Sequence, residues 1–375
     1  MRNVKRNILL TPGPATTTNS VKFSQVVPDI CPREKDFGKL MQTISVELTR
    51  FVADTEYYTT VLFGGSGTAA VESVLSSVIG DESIVIINNG AYGKRMCEIA
   101  DAYGMNFLEF KSSPHEAIDL TDLESFVHNC NRKIAYLAVV HHETTTGLLN
   151  DIKSIGKLCR KRQIDMIVDA MSSYATIPIR MMEMNISYLA ASSNKNLQGM
   201  AGVSFVIANR NKMEGLRLKK PRNYYLNLFA QYKYFSETGQ MRFTPPVQTL
   251  YALNRAIMEV KQEGIKERYA RYAKSWETLI DGIATLGLKH IVDTKHHSKI
   301  VTSIIEPDCD GYDFDKMHDY LYSRGFTIYP GKLEELKTFR IAKIGDISYK
   351  DIRAFLILLE DYLKSIDFLR KADDR

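Results

Sequence analysis

The chain of 375 residues, 45% apolar and 25% charged, is long enough for one large or two ordinary domains around a substantial core. Its net charge of +5 is spread along the sequence, and the densest basic run, Arg210 to Arg222, accompanies no nucleic-acid-binding module, so it reads as a solvated surface. No apolar stretch reaches the roughly 18 residues of a membrane span; five cysteines without a CxxC pair and histidines without i, i+4 spacing predict reduced thiols and no metal site.

At the N-terminus Met1 to Lys5 are basic, but the apolar run Ile8 to Leu10 stops at Thr11 and Pro12, too short for a secretory signal, and a cytoplasmic protein is expected. Thr59 to Gly80 reads as a strand, a glycine turn and a helix whose apolar positions are Ala69, Val71, Val74, Leu75 and Val78. Ile84 to Ile87 is a strand followed by NNGAYG, and Ile134 to Val140 a strand followed by HHETTTG. Met166, Ile167 and Val168 form a short buried strand closed by Asp169; Tyr188 to Ala191 form another, with Lys195 just beyond it in a Ser-Ser-Asn segment. Strand and helix patterns alternate from about Thr18 to Ala256, which predicts an α/β fold with a mostly parallel sheet covered by helices. After Ala256 the pattern changes. A helix with Ile265, Tyr269, Tyr272, Trp276, Leu279, Ile280 and Ile283 on its apolar face precedes strand-like runs at Ile300 to Ile305, Phe326 to Tyr329 and Phe339 to Ala342. Ile352, Phe355, Leu356, Leu359, Leu363 and Ile366 make a closing helix, and Lys371 to Arg375 read as a frayed tail. This part is expected to be a smaller α+β domain.

Residues suited to chemistry recur at the ends of the predicted strands, where open α/β sheets build their sites. A lysine that forms a Schiff base with an aldehyde cofactor and a buried aspartate that holds a pyridine nitrogen protonated are the two protein groups pyridoxal 5'-phosphate (PLP) requires. Lys195 and Asp169 are candidates, although the pair alone reads equally well as a surface lysine and a helix-capping aspartate. The turn Gly64 to Thr68 offers free N–H groups at a helix start, a cradle for phosphate. It lacks both the Walker lysine and the GxGxxG spacing, which disfavours nucleoside triphosphates and dinucleotides.

The combined motifs resemble those of fold type I PLP enzymes, and more narrowly class V aminotransferases: TPGP (Thr11 to Pro14), GGSGT (Gly64 to Thr68), NNGAYG (Asn88 to Gly93), HHETTTG (His141 to Gly147), VDAMSS (Val168 to Ser173), SSNK (Ser192 to Lys195), RFTPP (Arg242 to Pro246), YPGK (Tyr329 to Lys332) and FRIAKIG (Phe339 to Gly345). Within the class, ETTTG, DAMSS, SSNK and YPGK are most similar to the 2-aminoethylphosphonate–pyruvate transaminases. The resemblance implies a large domain over residues 19–256 and a small one over 257–375 together with 1–18. It implies a PLP-dependent transaminase in which Lys195 carries the cofactor and moves the proton, and Asp169 keeps the pyridine nitrogen charged. Ser66, Gly67 and Thr68 would anchor the phosphate, Tyr92 would stack on the ring, and Asn194 would also touch the cofactor. Thr145 would reach the ring oxygen, with the register among Thr144, Thr145 and Thr146 open. Arg340 would take the substrate's anionic group, with Gly13 of the TPGP turn nearby. Thr244 would reach the phosphate in a neighbouring subunit, making a homodimer with shared sites. The reactants would be a small amino donor and an oxo-acid or aldehyde acceptor, with no nucleic acid and no membrane involved. Catabolic members of the group carry a tryptophan just before RFT, where this chain has Gln240 and Met241, and Asp29 to Glu34 is more similar to transaminases of phosphonate biosynthesis. The direction of reaction therefore stays open, and a serine or alanine–glyoxylate aminotransferase is the alternative.

Overall fold

The computed structural model of the chain describes residues 4–333 and 335–369; the tail from Lys371 lies outside them. Seven strands form the principal sheet, in the spatial order Tyr58–Gly64, Val203–Asn209, Ile186–Ser192, Asp165–Asp169, Ile134–Val140, Ser83–Asn88 and Phe107–Lys111. Only Val203–Asn209 runs against the rest, pairing antiparallel with both of its neighbours. The strands are apolar on both faces because both faces are covered. Ile84 and Ile86 join one core with Val71 and Val74, whereas Val85 and Ile87 join the opposite core with Leu137, Val139 and Phe205. Parallel neighbours require crossovers, and the helices Gly67–Val78, Ala91–Ala102, Leu120–His128 and Ile152–Arg162 supply them. The C-terminal ends of the parallel strands therefore open on one edge, which gathers the predicted site residues there.

Val247–Glu263 leads through Gly264, whose φ of 88° ends it, into the helix Ile265–Thr285. A three-stranded antiparallel sheet (Val301–Ile305, Thr338–Ala342, Tyr329–Pro330) packs with that helix and Tyr349–Ser365 around Leu279, Phe339, Phe355 and Leu359. The closing helix starts at a capping box in which the Ser348 and Asp351 side chains each bond the other's backbone N–H. Ile8–Leu9 pairs parallel with Phe326–Thr327. The single strand expected over Phe326 to Tyr329 is thus two: its first half bonds the N-terminal strand and its second, past buried Ile328, crosses to Thr338–Ala342.

The basic run also departs from a solvated face. The Arg222 guanidinium donates to the carbonyls of Ile79 (3.1 Å), Tyr103 (3.0 Å) and Gly80 (2.7 Å). Lys219 pairs with Glu82 at 2.6 Å and Lys212 with Asp165 at 2.8 Å. Arg210 also donates to Thr55 O at 3.1 Å, so four of the six positive charges tie residues 210–222 to the body of the protein.

Candidate active site

The strand Asp165–Asp169 ends in a carboxylate, and where the chain leaves the sheet the Asp169 side chain turns back to accept the Met171 N–H at 2.9 Å. Asp169 is buried, and loss of water pushes its pKa up to about 6 against the lowering effects of the Met171 N–H and the positive Lys195 and Arg95. It forms the floor of a cavity of about 220 Å³ whose walls include Ser66, Gly67, Thr68, Tyr92, His142, Thr144, Met171, Asn194 and Lys195.

The neighbouring strand Ile186–Ser192 delivers the lysine. Beyond it the chain folds into a tight turn closed by Gln198 N–H to Lys195 O (2.8 Å) and Gly199 N–H to Ser193 O (2.8 Å). Helix Ile265–Thr285 props this turn: buried Arg268 donates to Asn196 O at 2.6 Å while paired with Glu263 at 2.7 Å, and Gln198 bonds the Tyr272 hydroxyl at 3.0 Å. The Lys195 amine donates to the Pro12 carbonyl of the TPGP turn. Burial lowers its pKa from the ordinary lysine value, partly opposed by Tyr92 and Asp169. Gly13 lies against the same side chain at φ 137°, a backbone conformation that L side chains rarely adopt, so the turn favours glycine.

At the opposite wall, helix Gly67–Val78 begins with Ser66 as N-cap and no side chain capping it, which leaves its first N–H groups and the Ser66 hydroxyl to the cavity. Across from it, Met171 packs so closely that a Cβ on Gly67 would lie 2.6 Å from its sulfur. Tyr92, on the first turn of Ala91–Ala102, lies beside Thr144 in the cavity wall, and its ring lies under Arg95 (5.0 Å) and Lys332 (5.4 Å). Burial pushes the Tyr92 phenol up, but Thr144 and the charges of Lys195, Lys332 and Arg340 outweigh it and bring its pKa below the ordinary value.

Among the three threonines, Thr144 lines the cavity and Thr145 does not. Thr145 donates to the buried Glu143 carboxylate from both its N–H (3.0 Å) and its hydroxyl (2.6 Å), and accepts from Ala91 N–H at 3.0 Å. Glu143 also accepts from Tyr92 N–H (3.3 Å), placing a carboxylate at a helix start where the dipole favours it. Burying that carboxylate requires donors, and Thr145 is turned inward to supply them.

Arg340 lies just outside the cavity. It is 2% exposed, donates to Pro330 O (2.9 Å) and Thr144 O (3.3 Å), and lies near Tyr92. Burial lowers its pKa. Thr244 is exposed and does not line the cavity of its own chain. The loop before it is held by Arg33, which donates to Met241 O (2.7 Å), Arg242 O (3.1 Å) and Gln240 Oε1 (3.3 Å), while Gln240 Nε2 returns a bond to Arg33 O at 2.7 Å. The sequence reading did not single out His142, Met171 or Glu143, although all three lie in or beside motifs that it quoted. Among the described residues no cluster of His, Cys, Asp or Glu could hold a metal ion, and no helix is long and apolar enough to cross a membrane.

The cavity fits PLP on its own chemistry: a carboxylate for a ring nitrogen, a lysine in the wall, and an uncapped helix start for a phosphate. The comparisons with known proteins agree. The family model of class V aminotransferases matches residues 23–332. The chain is 37% identical over 358 residues to a 2-aminoethylphosphonate–pyruvate transaminase of Klebsiella pneumoniae, covering 94% of this chain and 97% of that one. It is 39% identical over 359 residues to the protein of that name from Aeromonas hydrophila, covering 94% of each. Among solved structures, alanine–glyoxylate aminotransferase from Nostoc sp. superposes with a TM-score of 0.89 at 26% identity, covering 96% of both chains. The chain therefore belongs to the class V aminotransferases, PLP-dependent transaminases of fold type I.

Proposed function

We propose that the protein transfers the amino group between 2-aminoethylphosphonate and pyruvate, giving phosphonoacetaldehyde and alanine or running in the reverse sense. The observation that carries the reading is the convergence of Lys195, Asp169 and the Ser66–Thr68 helix start on one cavity, with the buried guanidinium of Arg340 directly behind its Thr144 wall. The names of the two relatives at 37% and 39% identity support the substrate pair.

PLP bound here supplies an electron sink for the bond broken at the amine-bearing carbon. The Lys195 amine, whose burial favours its uncharged form, takes the proton from that carbon and returns it on the other side of the reaction. Asp169 holds a proton on the ring nitrogen. The N–H groups of Gly67 and Thr68 and the Ser66 hydroxyl would bind the phosphate, and Asn194, Tyr92 and Met171, which line the same cavity, would contact the cofactor. Thr144, in place of Thr145, is the threonine available to the ring oxygen. Arg340 binds the phosphonate or carboxylate: its planar fork matches such an anion, and its present partners, backbone carbonyls, are weaker acceptors that the anion can replace. Gly13 keeps Lys195 room to swing. Thr244, exposed beside the Arg33-braced loop, serves the phosphate of a second copy in a homodimer. The division into a large domain over 19–256 and a small one over 257–375 with 1–18 belongs to the same reading, supported by the pairing of Ile8–Leu9 with Phe326–Thr327. The compartment is the cytoplasm.

The likeness to alanine–glyoxylate aminotransferase favours a second reading, serine or alanine with glyoxylate. A panel of donors and acceptors, run in both directions on the purified protein, separates them. Preference for a phosphonate pair supports the proposal, and preference for serine or alanine with glyoxylate overturns it.

A further inference from the structure

The HHETTTG segment belongs to the large sheet by sequence but is bonded along its length to the smaller one. Ser298 N–H donates to Gly147 O at 2.9 Å, Leu148 bridges antiparallel to His297, Ser303 Oγ donates to Thr145 O at 2.9 Å, and Arg340 reaches Thr144 O. Gly147, at φ 100°, brings its backbone against Val301 O so closely that no Cβ fits. One further bond joins this contact to the cofactor cavity. His142, which lines the cavity, places Nδ1 2.9 Å from Ser172 O and Nε2 2.8 Å from Ser298 Oγ. A carbonyl oxygen only accepts, so Nδ1 carries the hydrogen and the neutral ring accepts at Nε2 from the Ser298 hydroxyl. Ser298 is fully buried, and its oxygen accepts in turn from Ile300 N–H at 3.2 Å. Burial lowers the His142 pKa to about 4 against the opposing bond to the Ser172 carbonyl, so the ring stays neutral at working pH.

We propose that Ser298 is a positioning residue for the cofactor: through His142 it fixes the cavity wall to the sheet that carries Arg340, so that the cofactor's ring and the substrate's anion clamp keep one separation. Ser298 itself does not line the cavity. It acts by holding the His142 ring in one orientation, anchored at Ser172 on one side and Ser298 on the other. Without the hydroxyl, Nε2 faces a buried void and the ring gains freedom to turn into the space the cofactor needs. The proposal rests on the assignment of this cavity to PLP.

The test uses the chain's single tryptophan, Trp276, whose ring lies 5.1 Å from that of His297 in the same contact. Its fluorescence follows loss of cofactor when the loaded enzyme is diluted. Ser298→Ala is expected to release PLP about 10-fold faster, the scale set by leaving one buried hydrogen-bonding group unpartnered. His142→Asn keeps a donor for Ser172 O but not the arm to Ser298, and is expected to match it; the double variant is expected to be no worse than either. His142→Asn also decides the matter should Ser298→Ala not fold. A parent release rate in His142→Asn, additive losses in the double variant, or a lowered melting temperature with an unchanged release rate overturns the proposal. A parent protein that binds no PLP instead refutes the cavity assignment.

Discussion

Replacing Asp169 by Asn should make the cofactor-free protein more stable and the loaded enzyme slower. The Asp169 carboxyl is held at a pKa of about 6 by burial, against an ordinary value of 3.8. Between those values the folded protein keeps a proton that the unfolded chain has released, so stability falls as pH rises through that window, and above it ionised Asp169 costs about 3 kcal/mol at ~1.4 kcal/mol per unit. The amide keeps the shape and the acceptor for Met171 N–H but carries no charge to desolvate. Urea unfolding of the cofactor-free variant at pH 7 should therefore show a higher midpoint with an unchanged slope, worth about 3 kcal/mol, and the gain should shrink to a few tenths near pH 4. Turnover should fall on the order of 10²-fold, the scale of losing one preorganised charge partner, because a neutral amide does not hold a proton on the ring nitrogen. A variant no more stable than the parent at pH 7, or one that turns over at the parent rate, refutes the reasoning.

Lys195→Ala should lose turnover and the visible absorption of bound PLP while its far-UV circular dichroism is unchanged; retained turnover would remove Lys195 from its proposed role. Arg340→Ala should lower kcat/KM for the phosphonate by ~2 to 5 kcal/mol, roughly 30-fold to several thousand-fold, with PLP absorption retained, and equal kcat/KM would exclude it as the anion's partner. Lys343, fully buried with Thr302 Oγ1 at 3.0 Å as its partner, has a pKa far below the ordinary value because of burial. Burial disfavours the charged amine in the folded chain relative to the unfolded one, a cost that is lost as pH rises to the ordinary lysine pKa of about 10.4, so Lys343→Met should unfold at higher urea at pH 7 with the advantage fading toward that pH; an unchanged midpoint at pH 7 contradicts the burial argument. Light scattering at working concentration should give the mass of two chains, and a fully active monomer would rule out shared sites.

The parts of the site that local sequence made legible are those whose position follows from one strand and its end. Asp169 and Lys195 each close or follow an apolar run, and Ser66 to Thr68 start a helix, so a short window of residues carries their placement. The threonines were not legible in the same way. Thr144 to Gly147 form a turn, so no strand alternation places them; that Thr144 meets the cavity and Thr145 turns away depends on the buried Glu143 finding donors at Thr145 and at Ala91–Ala102. Arg340 meets Thr144 across 196 residues and Lys195 meets Pro12 across 183, distances over which no periodicity speaks.

The two departures from the catabolic pattern, the Asp29 to Glu34 segment and the residues before RFT, are far apart in sequence. In the fold they are one contact: Arg33 and Gln240 exchange hydrogen bonds, and the Arg33 guanidinium also caps the carbonyls of Met241 and Arg242. A tryptophan in place of Gln240 would remove the amide that receives and returns those bonds, leaving Arg33 with fewer partners, whereas one in place of Met241 would keep the carbonyl that Arg33 bonds. The two segments are thus coupled through a charge-assisted contact. Whatever they contribute to the direction of catalysis, they contribute as a pair, by setting how that loop is held.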